Sequence, residues 1–219
     1  SPKNMDVMID LFSGGATVGL NMPAKKVYFV DSNEKVINLL KDLASYSFEE
    51  LLRKLLNLID EYGLSISSVN GYKYYKDQIN GGNPNNGLKN YNEKSFYNLM
   101  LYLLMVYGFN NDIRFSQAGN FNLPAGKTDF NLNNVKKLYH YIEKIHTIEH
   151  EFICTSFDAA EMNEIIKEAD FIYMDPPYLI TTAVYNESNQ WNNDDEHKLL
   201  SFIEGLIDDN KYFMLSNVI

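Results

Sequence analysis

Met5-Asp6-Val7-Met8-Ile9-Asp10-Leu11-Phe12-Ser13-Gly14-Gly15-Ala16-Thr17-Val18-Gly19 runs from an apolar strand, residues 5–11, through a glycine-rich turn into the start of a helix. Glycine lacks a Cβ, so a turn built on it lets backbone come close to a ligand. A second strand-like run, Lys26-Val27-Tyr28-Phe29-Val30, ends in Asp31, 17 residues after Gly14. This predicts a carboxylate at the tip of the neighbouring strand, where it can accept from both hydroxyls of a ribose. The glycines fall at 14, 15 and 19, not in the G-x-G-x-x-G spacing of dinucleotide sites. A nucleoside-bearing cofactor without a pyrophosphate therefore fits better than NAD. A plain strand–turn–helix connection could carry the same residues, so the loop alone leaves both readings open.

Further along, Phe171-Ile172-Tyr173-Met174 reads as another buried strand and delivers Asp175-Pro176-Pro177-Tyr178 at its carboxyl end. Ligands in open α/β sheets gather at that end of the strands. Each proline fixes φ near −65° and has no N–H, so the backbone after Asp175 is stiff and its carbonyls are left to accept. A carboxylate, a carbonyl and an aromatic face can thus be held in one geometry. The rival reading is a strand followed by an ordinary Pro-Pro loop.

Strands at 5–11, 26–31, 151–154, 171–174 and 211–217 alternate with helical stretches, which predicts an α/β fold with a parallel sheet. Residues 33–62 read as helical on their leucine spacing, as do 93–107, 132–150 and 159–168, and 80–92 reads as a polar surface loop. The helical, loop-rich stretch 46–146 interrupts the alternation. The chain is accordingly divided into a discontinuous α/β domain, 1–45 with 147–219, and an insertion, 46–146.

The chain of 219 residues, 45% apolar, can bury a substantial core. Its longest apolar runs are broken by polar residues, and no signal peptide is read at Ser1-Pro2-Lys3-Asn4, so no membrane association is expected. A lone cysteine, Cys154, allows no internal disulfide and leans to a reducing, cytoplasmic compartment. The net charge of −10 argues against a simple nucleic-acid binder. The charge is uneven, however. Residues 108–146 carry 5 basic and 3 acidic side chains, whereas 147–219 carry 3 and 15. A polyanion could meet the middle stretch and would be repelled by much of the last third.

The middle stretch also holds Phe109–Lys127, rich in amides, with a Ser116-Gln117-Ala118-Gly119 turn between aromatic-containing segments that suggest a hairpin. Asn, Gln and Arg make the bidentate contacts to adenine and guanine edges in a major groove. An amide-rich surface loop is the competing reading. His146-Thr147-Ile148-Glu149-His150 matches the H-x-x-E-H zinc pattern, but its helix would run into the strand that follows, and no metal is expected.

The glycine loop Asp10–Gly15, the stretch Phe109–Lys127, Asp175-Pro176-Pro177-Tyr178 and Phe213-Met214-Leu215-Ser216-Asn217 follow one another in a particular order. In that order, over nearly its whole length, the chain resembles the Dam-like (D12 class, α-group) S-adenosylmethionine-dependent DNA adenine-N6 methyltransferases. Residues 111–115 and 121–127 are similar to the recognition hairpin of that family. One departure is Ala16, where the F-x-G-x-G loop has its second glycine; a methyl group there is tolerable if φ is negative. The upstream Lys-Trp or Lys-Gly segment and the hairpin beyond Leu215-Ser216-Asn217 that usually flank this core are not present in the 219 residues, so a chain truncated at both ends is expected.

The resemblance implies a Rossmann-like class I methyltransferase sheet with a mostly helical target-recognition insertion carrying a hairpin. It implies S-adenosylmethionine as methyl donor, leaving S-adenosylhomocysteine, and direct transfer to N6 of a flipped-out adenine. Asp175, Pro176, Pro177 and Tyr178 would be catalytic. Asp10, Phe12, Ser13, Gly14, Gly15, Ala16, Asp31, Ser156, Phe157 and Asp175 would face the cofactor. Asn110, Asn111, Arg114, Phe115, Asn120, Pro124 and Lys127 would meet double-stranded DNA. The protein would be a monomer and either a solitary methylase or one paired with a restriction endonuclease acting on the same site. An RNA adenine methyltransferase, or a DNA-binding relative with an impaired core, remains the alternative.

Overall fold

The computed structural model describes residues 5–65, 69–81, 93–111, 113–116, 120–177 and 191–216. In chain order the elements are β1 (Val7–Leu11), α1 (Thr17–Asn21), β2 (Lys26–Asp31), α2 (Glu34–Ala44), α3 (Phe48–Tyr62), α4 (Val69–Gly81) and α5 (Glu93–Tyr107). A 3-10 turn at Phe109–Asn111 precedes α6 (Leu132–Ile145), β3 (Glu149–Cys154), α7 (Met162–Glu168), β4 (Phe171–Met174), α8 (Asn193–Asp208) and β5 (Tyr212–Leu215). Among the described residues there are two compact units. One draws on the stretches up to Lys41 and from Lys144 onward, the other on Asp42–Glu143.

The first unit is built on a five-stranded sheet in the order β3-β2-β1-β4-β5, with every neighbouring pair parallel. Parallel neighbours need crossover connections, which is why helices separate these strands in sequence. The order reverses beside β1: β2 and β3 lie on one side, β4 and β5 on the other. In such sheets the crevice at the carboxyl ends of the strands flanking the reversal is where ligands bind. Here those ends are Leu11 and Met174, which are paired in register.

Alternating side chains build the core. Ile9, Leu11, Tyr28, Val30, Ile172 and Met174 pack on Phe157, Met162 and Ile166 and on Leu199 and Leu206 of α8. Met8, Val27, Phe29 and Phe152 are buried too, and the rings of Phe29 and Phe152 stack at 5.2 Å. Both faces of the central strands are covered, so β1, β2 and β4 read as nearly unbroken apolar runs. Each such fully buried side chain contributes about 1.5–3 kcal/mol.

The second unit is mostly helical. Leu99, Leu101, Leu103 and Leu104 of α5 are all fully buried, so this helix is apolar around its circumference and forms the centre of the unit. Leu51, Leu55 and Leu58 of α3 present a narrower stripe.

Several boundaries differ from the sequence reading. The expected helix over 33–62 is two helices, because the Ser45 hydroxyl bonds Asp42 O at 2.6 Å and the Ser47 side chain caps α3 through Glu50 N at 3.2 Å. Short hydroxyl side chains offer backbone groups partners outside the helix and so break it. The helix expected to reach His150 stops at Ile145, and Glu149 and His150 belong to β3. The H-x-x-E-H match therefore does not sit on one helix. The helix α4 has no counterpart in the sequence reading, and Asn80, expected in a loop, lies in its last turn.

Candidate active site

The turn after β1 is wound through left-handed backbone. Phe12, Gly14 and Ala16 have φ of 64°, 46° and 60°. Only Gly14 adopts this region without cost; a bulky residue at positive φ is an outlier, and such strain collects at ligand clamps. The tolerance argued for Ala16 rested on a negative φ, and that condition is not met. Phe12 is held by its ring, which lies 5.4 Å from Phe157 and 5.7 Å, edge-on, from Trp191. Phe157 in turn lies 5.8 Å from both Trp191 and Phe202. Aromatic pairs of this kind add about 0.5–1.5 kcal/mol each beyond their buried area.

Two carboxylates fix the turn from opposite sides. Asp31, at the tip of β2, accepts from Gly14 N at 3.0 Å with one oxygen and from Asn33 N at 2.8 Å with the other. Asp10 projects from β1 beneath the turn, 2% exposed, and accepts from Gly19 N at 2.8 Å. A Cβ at Gly19 would lie 2.6 Å from Phe29 Cε1 and 2.9 Å from Asp10 Oδ2, so only glycine allows the carboxylate this close. Burial pushes the Asp10 carboxyl up to about 7; the Gly19 amide opposes that rise, and the charges of Asp175 and Asp31 add to it. Asp10 is thus turned inward to α1, while Asp31 stands at the rim.

Asp175 begins where β4 ends. Its N–H donates to Leu11 O at 3.4 Å, and Ser216 N donates to Met174 O at 2.8 Å, so the start of the tetrapeptide is tied to the strands on either side. Pro176 is buried, Asp175 and Pro177 are exposed, and Tyr178 lies outside the described residues. The structure therefore brings Phe12–Ala16, Asp31, Phe157 and Asp175 to one end of one sheet. Ser156 hydrogen-bonds Asp158, which holds the Asp158 carboxyl below its ordinary value.

Three groups at this end of the sheet could receive a nucleoside-bearing ligand. The Ser13 hydroxyl is buried and has no hydrogen-bond partner among the described residues, and buried polar groups are seldom left so. Each Asp31 oxygen carries lone pairs beyond the single amide bond it accepts. The Phe12–Phe157–Trp191 cluster lies at the same end of the sheet, with the Phe157 ring itself buried. Burial, then Glu34 and Asp31, push the Cys154 thiol up, opposite to the shift that activates a thiolate. Among the described residues no group of His, Cys, Asp and Glu could hold a metal ion.

In the second unit, residues 107–111, 113–116 and 120–126 make up the two arms of an irregular hairpin. Gly126 N donates to Tyr107 O, Phe109 N to Pro124 O, Asn122 N to Arg114 O and Ser116 N to Asn120 O, all within 2.7–3.0 Å. Phe115 and Phe121 face each other, rings 5.8 Å apart. Arg114 Nε donates to Asn122 Oδ1 at 2.7 Å. Asn110 (φ 58°), Asn120, Pro124 and Lys127 are exposed; Asn111 is described in its backbone alone, and 117–119 lie outside the described residues.

This architecture agrees with what the chain matches. Residues 1–218 match the D12 class N6 adenine-specific DNA methyltransferase family. The chain belongs to that family. The type II methyltransferase M.FokI of Planomicrobium okeanokoites is 36% identical over the whole chain, and the modification methylase StsI of Streptococcus sanguinis is 34% identical over 99% of it. The chain spans about a third (32%) of the length of each. The DNA adenine methylase of Escherichia coli K12 is 24% identical over 99% of the chain and 73% of its own length. Methyltransferases of this class in general use S-adenosylmethionine. No helix among the described residues is long and apolar enough to cross a membrane.

Three side chains in this D12-class chain were not singled out from sequence. Trp191 joins the aromatic cluster from beyond residues 178–190, and its signal was being the single tryptophan. Asn122 holds Arg114, and a cross-strand pair of that kind becomes visible only once the hairpin register is known. Asn80 bonds the hairpin backbone from 41 residues away, a separation that leaves no periodic mark.

Proposed function

We propose that this chain transfers a methyl group from S-adenosylmethionine to N6 of an adenine in double-stranded DNA, at the Asp175-Pro176-Pro177-Tyr178 loop. The observation that carries the reading is the meeting of the glycine turn and Asp175 at the reversal of the strand order, through Asp175 N and Leu11 O. The names of the type II and modification relatives support a modification role beside a restriction endonuclease acting on the same site.

The N6 lone pair of adenine is delocalised into the ring, so it must be localised and aimed in line at the methyl carbon, with the reacting atoms about 3–3.5 Å apart. S-adenosylmethionine supplies that methyl group on a positively charged sulfur. In this reading the Asp175 carboxylate and the Pro176 carbonyl accept the two N6 hydrogens, raising electron density on nitrogen and stabilising the positive charge that develops there. The ties to Leu11 and Ser216 pre-set both acceptors, and the proline rings keep the carbonyl from turning away. Asp31 receives the ribose hydroxyls, the Phe12 and Phe157 rings the adenine of the donor, and the Ser13 hydroxyl a polar group of the same molecule. The base reaches the loop only if it is flipped, at a cost of a few kcal/mol. Stacking on Tyr178, worth roughly 1–3 kcal/mol, offsets part of that.

Arg114 is assigned to DNA through a base edge, with Asn110, Asn111, Asn120 and Lys127 around it and Phe115 and Pro124 packing the turn. The 46–146 insertion is the recognition domain in this reading. The test of the whole is Asp175→Ala, for which we expect loss of labelled-methyl transfer to DNA with the fold kept, seen as a retained cooperative melting transition. Turnover near that of the unmodified chain would refute the catalytic assignment.

A further inference from the structure

The hairpin has a thin ladder of its own. Its strands meet in two isolated bridges, Gly108↔Ala125 and Phe115↔Phe121, and a two-stranded ribbon is marginal without a third partner. In an extended strand, successive peptide groups point to opposite sides. Asn120 O and Asn122 N point to the partner strand, at Ser116 and Arg114, so the peptide groups of Phe121 and Leu123 point away from it.

On that outer side lies α4. Asn80 Nδ2 donates to Phe121 O at 2.6 Å, and Phe121 N donates back to Asn80 Oδ1 at 2.7 Å. One side-chain amide thereby makes both bonds that a neighbouring strand would make to this residue. One and two turns earlier on the same helix face, Lys76 Nζ and Tyr72 Oη each donate to Leu123 O at 3.3 Å. Phe121 and Leu123 are themselves 1% and 2% exposed, so these carbonyls and this amide have little access to water. A buried peptide group without a partner is costly, which makes the three side chains a condition for the strand lying where it does.

The connection continues to the base-reading side. Asn122 follows Phe121 directly, and its side-chain oxygen receives Arg114 Nε. We propose that Tyr72, Lys76 and Asn80 act as a surrogate edge strand, and that Asn80 is a positioning residue for sequence discrimination: it fixes Phe121, hence Asn122, hence the Arg114 guanidinium. The inference rests on the reading that the hairpin meets DNA. It adds a residue outside the hairpin that sets how sharply the hairpin reads. Displacing a bidentate donor by even an ångström forfeits the geometry on which its selectivity depends.

The test uses the site found by sequencing methylated DNA from expressing cells, placed in duplexes alongside its single-base-pair variants. The expected result for Asn80→Ala and Asn80→Asp is a fall of roughly tenfold in the ratio of kcat/KM between the site and its variants, the scale set by one good bidentate contact. The Asn80→Asp variant would keep the bond from Phe121 N but set a carboxylate against Phe121 O. S-adenosylmethionine affinity by calorimetry should not change. An unchanged ratio in Asn80→Ala, with Arg114→Ala losing discrimination, overturns the positioning role alone. An unchanged ratio in Arg114→Ala as well overturns the reading of the hairpin instead. Equal loss on all duplexes reduces Asn80 to a residue needed for folding and overturns the proposal. Hydrogen exchange on the unaltered chain gives an independent check, since Phe121 N–H should exchange as slowly as the amides of α4. Exchange at the rate of an open loop refutes the clamp.

Discussion

Replacing Asp10 by asparagine should change how stability depends on pH, and the structure sets both direction and scale. The Asp10 carboxyl is raised from 3.8 to about 7, first by burial and then by the charges of Asp175 and Asp31. Unfolded, it titrates near 3.9. Below about pH 4 both states hold the proton and the group adds no pH dependence. Between about 4 and 7 the folded chain keeps a proton that the unfolded chain has lost, so stability falls as pH rises. Above about 7 the full cost of a buried charge remains. A shift of about three units corresponds to ~4 kcal/mol. The amide that Asp10→Asn introduces can still accept from Gly19 N through its oxygen but carries no charge to bury. In urea unfolding at pH 4 to 8.5, the Asp10→Asn variant should gain on the unmodified chain by up to ~4 kcal/mol between pH 4 and 7, with a plateau above. Other carboxylates titrate in both proteins and cancel in the difference. A difference that does not vary with pH would show that Asp10 titrates normally, and the reading that burial dominates its surroundings would fail. Asp175→Asn should lower the midpoint less than burial raises it, because the Asp175 charge is the smaller cause.

Two further substitutions probe the turn itself. Ala16→Gly relieves the strain of a left-handed conformation that costs a non-glycine residue roughly 1–2 kcal/mol. It also removes a buried methyl worth about 0.8 kcal/mol. The expected net is a stabilisation of up to about 1 kcal/mol, read as a rise in Tm; a fall would mean that packing at this fully buried position outweighs strain. Asp31→Ala takes away the acceptor for Gly14 N and Asn33 N and the proposed partner of the ribose. Hydrogen bonds to a charged group contribute about 1.5–3 kcal/mol, so S-adenosylmethionine should bind about 10–100-fold more weakly by calorimetry. The DNA site methylated should stay the same, and an unchanged Kd would remove Asp31 from the cofactor site.

How far the sequence could be read follows from how local each determinant is. β1, β2 and β4 were legible because burial on both faces leaves an apolar run that ends abruptly in a polar tip, and the tips are where Asp31 and Asp175 stand. α4 was missed because its core side is carried by Tyr72 and Tyr75, which read as polar, in a stretch also containing glycine and amides. The break at residues 45–47 rests on the Ser45 hydroxyl donating to Asp42 O and the Ser47 hydroxyl accepting from Glu50 N, a balance of about one hydrogen bond each that spacing does not resolve. Asp10 lies between these cases. Strand alternation puts it on the face of Met8, opposite Ile9 and Leu11, so its inward direction could have been inferred from β1 alone. Its partner could not, because the Gly19 amide is brought beneath it by three left-handed residues in between, two of which are not glycine. The fold was thus readable wherever a periodic pattern encodes burial. The site was readable in its residue types, while the direction of Asp10 was set by a contact 9 residues away and the placing of Phe121 by one 41 residues away, separations that leave no pattern in the chain.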